Sequence, residues 1–230
     1  MNIVLLPGLD GTGLLFSRFV SALGQEFQAT VVCYPGDQAL DYAEHERIAR
    51  RFLPPDRPYI LLGESFSGPI AISIAASKPP GLAGLILCCT FARNPVPFYT
   101  RFRSLLPLVP FNLIPTALRS PFIFGRFNSR SLRAEQRAAI RRVANVAMRA
   151  RINALFDVDV SAKLQQLELP ILYLLASEDH VVPRTAAEHI LQIAPGIQVI
   201  ELEAPHLLLQ TLPDRAALVV ADFAQNLIRR

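Results

Sequence analysis

A serine flanked by small residues follows a short apolar run in the first third of the chain. The run over residues 59–62 leads into Gly63-Glu64-Ser65-Phe66-Ser67-Gly68, and the apolar stretch after it predicts a buried helix. Small residues two positions either side of Ser65 permit a sharp strand-to-helix turn. The hydroxyl then projects above the sheet beside a helix N-terminus, which favours negative charge. The pattern predicts a nucleophile; the alternative is an ordinary turn with a serine N-cap.

A serine nucleophile needs a base, and one of the four histidines lies where such a base belongs. His206 follows the last predicted strand, at the carboxyl end of the sheet, where ligands bind in open α/β folds. His45 and His189 lie in polar predicted helices and are expected on the surface. We therefore predict His206 as the base, against the alternative of a loop histidine with no role.

The base needs an acid that orients it, and Asp179 lies in the segment 177–183, which directly follows the strand predicted over residues 169–176. Glu178 is its nearest competitor, a pair of aspartates before that strand (Asp157 and Asp159) is a second alternative, and Asp179 could also be a turn aspartate. The chain order serine, acid, histidine is the order found in one large class of hydrolases.

Acyl transfer also needs hydrogen-bond donors for the oxyanion that develops on the substrate. The backbone N–H of Phe66 is one predicted donor. The second is expected from the glycine-rich loop over residues 7–13, and we assign it to the Leu9 N–H. The spacing of Gly8, Gly11 and Gly13 matches neither the dinucleotide nor the Walker phosphate-binding pattern, which disfavours a nucleotide site.

The elements that must position these residues alternate between strand-like and helix-like runs. Strands are predicted near residues 2–6, 29–34, 59–62, 82–89, 169–176 and 197–202, with helices between them. Such alternation predicts an α/β fold with a mostly parallel sheet covered on both faces. The alternation stops between residues 92 and 163, where a proline-rich stretch precedes one long amphipathic helix predicted over residues 132–156.

Composition excludes several classes of protein. With 51% hydrophobic and 18% charged residues, the chain is not globally disordered. The uncharged stretch over residues 104–118 is the candidate for a membrane helix, but it is too short and too rich in proline to be one. The first residues do not predict a signal peptide. Cys33, Cys88 and Cys89 lack metal-site spacing and are expected to be buried free thiols, which favours a reducing, cytoplasmic location.

These motifs together resemble the α/β-hydrolase fold superfamily, in particular a small serine esterase or lipase. The resemblance rests on the loop after the first strand, the Gly63–Gly68 turn, Asp179 and His206, and it departs at Pro7, Ser67 and Pro205. It implies about six strands without the leading antiparallel pair of the full fold, a core of residues 1–91 and 164–230, and a helical lid over residues 92–163. It also implies catalysis with no metal and no cofactor.

The predicted lid has two surfaces of interest. Its apolar stretch is expected to line an acyl pocket, and four residues are assigned to that pocket: Phe98, Phe102, Leu105 and Leu106. The segment 92–151 also holds twelve arginines and a single acid, Glu135, although the net charge of the whole chain is only +4. A solvated helix face is the ordinary interpretation. An acidic acyl carrier, the phosphates of acyl-CoA or an anionic membrane is the sharper one.

We therefore predict a serine hydrolase that cleaves carboxylic esters with small to medium acyl chains. One alternative is an acyltransferase or thioesterase that acts on carrier-linked or lipid acyl groups. A second alternative is a non-catalytic binding protein on a hydrolase scaffold. Nucleic-acid binding is disfavoured, because the arginine-rich segment is apolar and matches no reader motif. Acyl length, leaving group and oligomeric state do not follow from these residues.

Overall fold

The computed structural model describes residues 1–109 and 123–228, and within them one sheet of six strands. The strands are β1 Asn2–Leu6, β2 Gln28–Val31, β3 Tyr59–Glu64, β4 Leu82–Cys88, β5 Ile171–Glu178 and β6 Gln198–Pro205. They are ordered β2-β1-β3-β4-β5-β6, and every neighbouring pair is parallel. The predicted α/β architecture with about six strands is confirmed.

Helices cover both faces of the sheet. The described α-helices are α1 Ser17–Leu23, α2 Tyr42–Arg50, α3 Gly68–Ala76, α4 Arg130–Ile140, α5 Asn145–Leu155, α6 Ser161–Gln165, α7 Arg184–Ile193, α8 Leu208–Thr211 and α9 Pro213–Ile228. Short 3-10 helices span Leu14–Phe16, Gly24–Glu26, Ser65–Ser67 and Gly125–Phe127, and a longer one spans Pro97–Leu108. Asp41 and Glu44 form a capping box at the start of α2.

The buried strands divide the core into two layers. Successive side chains of a strand point to opposite faces, so Val4 and Leu6 pack with α2, α3 and α7, whereas Ile3 and Leu5 pack with α1 and α9. The apolar runs of β1 and β3 are buried along almost their whole length, which is why they read as continuous hydrophobic stretches rather than alternating ones.

The strand order reverses between β1 and β3, because the chain moves outward to β2 in one direction and to β4, β5 and β6 in the other. In open parallel sheets, ligands bind beyond the carboxyl ends of the strands at such a reversal. The loop after β1 and the turn after β3 therefore meet at this point of the sheet.

The segment between β4 and β5 corresponds to the predicted lid, and its residues 110–122 lie outside the described part of the chain. The two ends of the segment pair with each other through an antiparallel bridge between Arg93 and Asp159. The prediction of one helix over residues 132–156 is wrong, because α4 and α5 are separate helices. The Ala144 N–H donates to Gly36 O at 2.7 Å instead of to a carbonyl one turn earlier, and this contact separates the two helices.

The cysteine prediction holds for two of the three thiols. Cys88 and Cys89 are buried and free, but Cys33 is free and exposed, because it follows β2 at the edge of the sheet. None of the helices in the described ranges is long and apolar enough to cross a bilayer.

Candidate active site

Ser65 lies at the turn between β3 and α3 in a backbone conformation that side chains rarely adopt. Its φ is 49°, in the left-handed region that disfavours residues with a Cβ. The neighbours must be small for this turn to close. A Cβ added at Gly63 would lie 2.7 Å from the Ser67 carbonyl oxygen, and one added at Gly68 would lie 1.9 Å from the Thr90 hydroxyl. The strained turn is the geometry expected where a reactive side chain is presented.

Hydrogen bonds join Ser65, His206 and Asp179 in a single chain. The Ser65 Oγ lies 3.0 Å from His206 Nε2, and His206 Nδ1 lies 2.8 Å from Asp179 Oδ2. The acidic Oδ2 accepts from Nδ1–H, so Nε2 is left free to accept the serine proton. The histidine and aspartate side chains are only 7% and 9% exposed, which shields their contact from water.

The hydrogen-bond partners distinguish Asp179 from the other acids considered as the orienting group. Its second oxygen accepts the backbone N–H groups of Val181 and Val182 at 2.8 and 2.9 Å, which fixes the orientation of the carboxylate. Three other acids have different partners: Glu178 pairs with Arg126, Asp157 pairs with Arg103, and Asp159 accepts from the Ser161 N–H.

The loop after β1 comes close to Ser65. A Cβ added at Gly8 would lie 3.7 Å from the Ser65 Cβ, so the backbone approaches the serine without a side chain between them. Ser67, which replaces a glycine of the family pattern, donates its hydroxyl to the Pro7 carbonyl oxygen at 2.5 Å and also contacts the Tyr34 hydroxyl at 3.1 Å. This departure from the pattern ties the turn after β3 to the loop after β1.

A cavity of about 410 Å³ opens beside Ser65 and His206. Leu9 and Phe66, the predicted oxyanion donors, are among its lining residues. The segment between β4 and β5 provides most of the remaining wall, with Ile123, Gln136, Ile140, Met148, Ile152 and Leu155. A larger surface groove of about 650 Å³ is lined by α2, α3 and α5 and does not include any residue of the Ser65–His206–Asp179 chain.

The four residues predicted for the acyl pocket lie elsewhere. Phe98, Phe102 and Leu105 are exposed on the 3-10 helix Pro97–Leu108, Leu106 is half-buried there, and the described cavity wall includes none of the four. Arg103 explains this placement, because it donates to Asn153 and pairs with Asp157 at the end of α5, on the outer side of that helix. The apolar wall comes instead from the inner faces of α4 and α5.

The sequence model of one protein family, described as "Alpha/beta hydrolase family", matches residues 3–222 of the chain. The chain belongs to this family. Among known proteins, the chain is 30% identical to Phytyl ester synthase 2, chloroplastic, from Arabidopsis thaliana over 131 residues, or 52% of this chain and 18% of that protein. It is 24% identical to Pyrrolizixenacetamide deacetylase from Xenorhabdus hominickii over 173 residues, or 72% of this chain and 65% of that protein. The chain thus spans less than two thirds of the length of either relative.

Solved structures resemble the chain in fold. A thermophilic esterase from Thermogutta terrifontis, solved with malate bound, superimposes with a TM-score of 0.83 at 19% identity, covering 99% of this chain and 90% of that one. At this identity the likeness establishes the α/β-hydrolase fold.

Two residues that the sequence predicts on the surface are buried beside the site. Arg151 is only 1% exposed and donates to the carbonyl oxygens of Leu9 and Asp10, at 3.0 and 2.6 Å, in the loop after β1. It also donates to Pro35 O at 2.9 Å and to His45 Nε2 at 3.3 Å. The prediction that this arginine belongs to a solvated helix face is therefore wrong.

The surface prediction for His45 is wrong for a related reason. Its Nδ1 lies 2.6 Å from the Asp41 carbonyl oxygen and donates to it, so Nε2 accepts from Arg151. Burial lowers the pKa of His45 to about 4, which keeps the ring neutral beside the guanidinium. One signal was present in the sequence: Arg151 follows Ala147 by four residues and Met148 by three, which places it on the buried face of α5.

The cavity wall also contains two buried carboxyl groups that the sequence analysis did not identify. Burial raises the pKa of Glu64, the residue before Ser65, to about 7, and its Oε1 accepts from Gln210 Nε2 at 2.9 Å. Burial also raises the pKa of Asp10, although a hydrogen bond from the Thr12 N–H at 2.9 Å opposes the shift. No group of three or more His, Cys, Asp or Glu suited to a metal ion occurs within residues 1–109 and 123–228.

Proposed function

We propose that this chain is a serine hydrolase that cleaves carboxylic esters through an acyl-enzyme on Ser65. The observation that carries the proposal is the continuous hydrogen-bonded chain of Asp179, His206 and Ser65 at the edge of a largely apolar cavity. An apolar cavity of about 410 Å³ suits a small to medium acyl chain and excludes strongly charged substrates from that part of the site.

In the first half of the proposed reaction, His206 Nε2 accepts the proton of Ser65 while Oγ forms a bond to the acyl carbon. The carbonyl oxygen becomes an oxyanion, and we assign its hydrogen-bond donors to the Leu9 and Phe66 N–H groups. The carbon–oxygen bond to the alcohol then breaks, and His206 gives its proton to the leaving alkoxide.

In the second half, His206 takes a proton from a water molecule that attacks the acyl-serine ester. The second oxyanion collapses, the bond to Ser65 Oγ breaks, and His206 returns the proton to the serine. The acid product leaves the cavity. Asp179 accepts from Nδ1–H throughout, which holds the ring in one tautomer and stabilises the imidazolium.

We also propose that residues 92–163 act as a lid. Their helices α4 and α5 form the apolar wall opposite Ser65, so their position sets the volume available to the acyl group. The arginines exposed on this segment are proposed to attract an anionic acyl carrier or an anionic membrane surface, since few acids compensate them nearby.

Acyl transfer to an alcohol is the second candidate. The Arabidopsis relative is named as an ester synthase, and the Xenorhabdus relative is named as a deacetylase. A cavity with apolar walls favours an organic acceptor over water once the acyl-enzyme has formed. Product analysis with added long-chain alcohol separates the candidates, because a new ester forms only in transfer.

A fluorescent fluorophosphonate tests the nucleophile directly. We expect labelling at Ser65, mapped by mass spectrometry, which Ser65→Ala abolishes and His206→Ala slows by at least about a hundredfold. Ser177→Ala is the matched control, because it removes an exposed serine near the end of β5. Absence of labelling in folded protein, with and without detergent to open the lid, would favour the non-catalytic binding protein.

A further inference from the structure

The cavity beside Ser65 contains a polar side chain that the proposed reaction does not use. Gln136 extends from α4 into the wall formed by Ile140, Met148 and Ile152, and the residue is only 5% exposed. Its Oε1 is buried without a hydrogen-bond partner in the described parts of the chain. A buried amide in an apolar wall with an unpaired oxygen costs folding free energy, because water no longer solvates it.

The pattern of α4 shows that an apolar residue would suit this position. The buried residues of the helix are Leu132, Gln136 and Ala139, which recur at helical spacing along one face. The two outer members are apolar, and only the middle member carries a polar group. Leucine at position 136 would complete the stripe without an unpaired amide.

The remaining unpaired buried groups are found elsewhere. They are the oxygen of Gln210, whose NH₂ group donates to Glu64, and the hydroxyls of Tyr42 and Tyr59. None of these three residues lines the cavity beside Ser65. Among the cavity residues that the structure describes, Gln136 thus carries the one fully buried side-chain oxygen without a hydrogen-bond partner, and this oxygen is available to a ligand.

We propose that the Gln136 amide binds a hydroxyl group on the hydrocarbon part of the substrate, so that the preferred substrates are hydroxylated esters. The amide offers an acceptor oxygen and a donor NH₂, which exchange places when the terminal bond rotates. A hydroxyl group both donates and accepts, and it therefore fits either orientation. The inference rests on the proposed ester hydrolysis and specifies its substrate class.

Hydrogen bonds to buried polar groups discriminate strongly between substrates. When a substrate lacks the matching group, the amide of Gln136 remains desolvated and unpaired in the transition-state complex. We expect about a tenfold preference in kcat/KM for the hydroxylated member of a matched pair, which corresponds to about 1.4 kcal/mol.

The first experiment uses two series of substrates with the unmodified chain. One compares p-nitrophenyl octanoate with p-nitrophenyl octanoates that carry one hydroxyl at carbon 3, 6, 7 or 8. The other compares hexyl octanoate with the octanoate monoesters of hexanediols, which place the hydroxyl in the alcohol part. One position in one series should reach the expected preference, and equal kcat/KM values across both series would overturn the inference.

The second experiment replaces the amide. Gln136→Leu should reduce the hydroxyl preference to about one, whereas Met148→Leu, an apolar change in the same wall, should retain it. Gln136→Leu should also raise the Tm of the free protein by about 2–4 °C, because the unpaired amide is removed. A preference that survives Gln136→Leu, or a lowered Tm, would overturn the inference.

The outcome also distinguishes this inference from the proposed function. If p-nitrophenyl octanoate is hydrolysed and Ser65 is labelled, but no hydroxyl position is preferred, the proposed function stands and the inference fails. If neither hydrolysis nor labelling occurs, the proposed function itself fails and the substrate class fails with it.

Discussion

Glu64 carries a buried carboxyl group directly before Ser65, and its pKa of about 7 makes the stability of the fold depend on pH. The unfolded chain releases this proton near pH 4.5, whereas the folded chain retains it until about pH 7. The folded state therefore binds more protons across this interval, and its stability falls as the pH rises. Above pH 7 the penalty reaches about 3 kcal/mol as an order of magnitude.

Glu64→Gln should remove that penalty. The new amide can accept from Gln210 Nε2 and donate to the Gln210 oxygen, which lacks a partner among the described residues. We expect the variant to gain free energy of unfolding relative to the original chain at pH 8 and to gain little at pH 4.5, measured by urea denaturation at both pH values.

An exposed glutamate provides the comparison for this test. Glu188→Gln makes the same chemical change on the surface of α7 and should shift stability by less than about 0.5 kcal/mol at either pH. A gain for Glu64→Gln that is equal at pH 4.5 and pH 8 would contradict a buried titrating carboxyl.

At the scale of single residues, the sequence predicts the position of a side chain where that residue follows the end of a strand. Ser65, Asp179 and His206 were each predicted from a position directly after an apolar run, and the structure brings them within hydrogen-bond distance. Arg151 and His45 were not predicted, because a charged residue in a helix is assigned to the surface by its type. Their burial depends on carbonyl groups of distant loops, and no local pattern records those contacts.

At the scale of elements, the buried side of α5 has two tasks. Met148, Ile152 and Leu155 line the cavity, while Arg151 holds the Leu9 and Asp10 carbonyls of the loop after β1. The same helix thus contacts both the cavity beside Ser65 and the loop after β1, to which we assign an oxyanion donor. We infer that Arg151 is a positioning residue for that loop.

Arg151→Lys tests this role, because lysine keeps the charge but cannot reach all the carbonyls from one planar group. We expect kcat on p-nitrophenyl octanoate to fall about 10–100-fold with little change in KM, since misplaced oxyanion donors weaken binding of the transition state more than that of the substrate. Steady-state rates over a range of substrate concentrations that reaches saturation separate kcat from KM.

Arg149→Lys is the matched control on the same helix. Arg149 donates to the Val109 carbonyl and makes none of the contacts to the loop after β1 that Arg151 makes. Its substitution should leave kcat within about twofold. If both variants lose the same activity, or if Arg151→Lys raises KM alone, the loop does not depend on Arg151.

Strands and helices can be predicted from the sequence where the pattern that determines them lies within the element itself. The strands were predicted because buried parallel strands are continuous apolar runs, as in β1 and β3. The break between α4 and α5 was not, because it depends on a hydrogen bond from Ala144 to Gly36, more than a hundred residues earlier. The outer position of Phe98 and Phe102 likewise depends on the contact of Arg103 with the end of α5.

At the scale of the whole molecule, charge is divided unevenly. The net charge is +4, but the segment 92–151 alone carries twelve arginines and one acid, so the rest of the chain is acidic. Arg151 is buried, whereas Arg130, Arg137, Arg141 and Arg142 are exposed on and after α4. We propose that these exposed arginines attract an anionic substrate towards the segment that provides part of the cavity wall.

Removing two of these charges should slow only the anionic substrate. We expect Arg137→Gln with Arg141→Gln to lower kcat/KM for octanoyl-CoA about tenfold at 50 mM salt and to leave p-nitrophenyl octanoate unchanged. Raising the salt to 500 mM should lower the kcat/KM of the original chain for octanoyl-CoA to that of the variant, because the screening length then falls to about 4 Å and exposed charges attract each other only weakly. Arg51→Gln with Arg57→Gln removes the same charge from exposed positions outside the segment and should have little effect. If both double variants lose equal activity, the attraction comes from net charge alone; if neither responds to salt, the arginines of α4 form an ordinary solvated face.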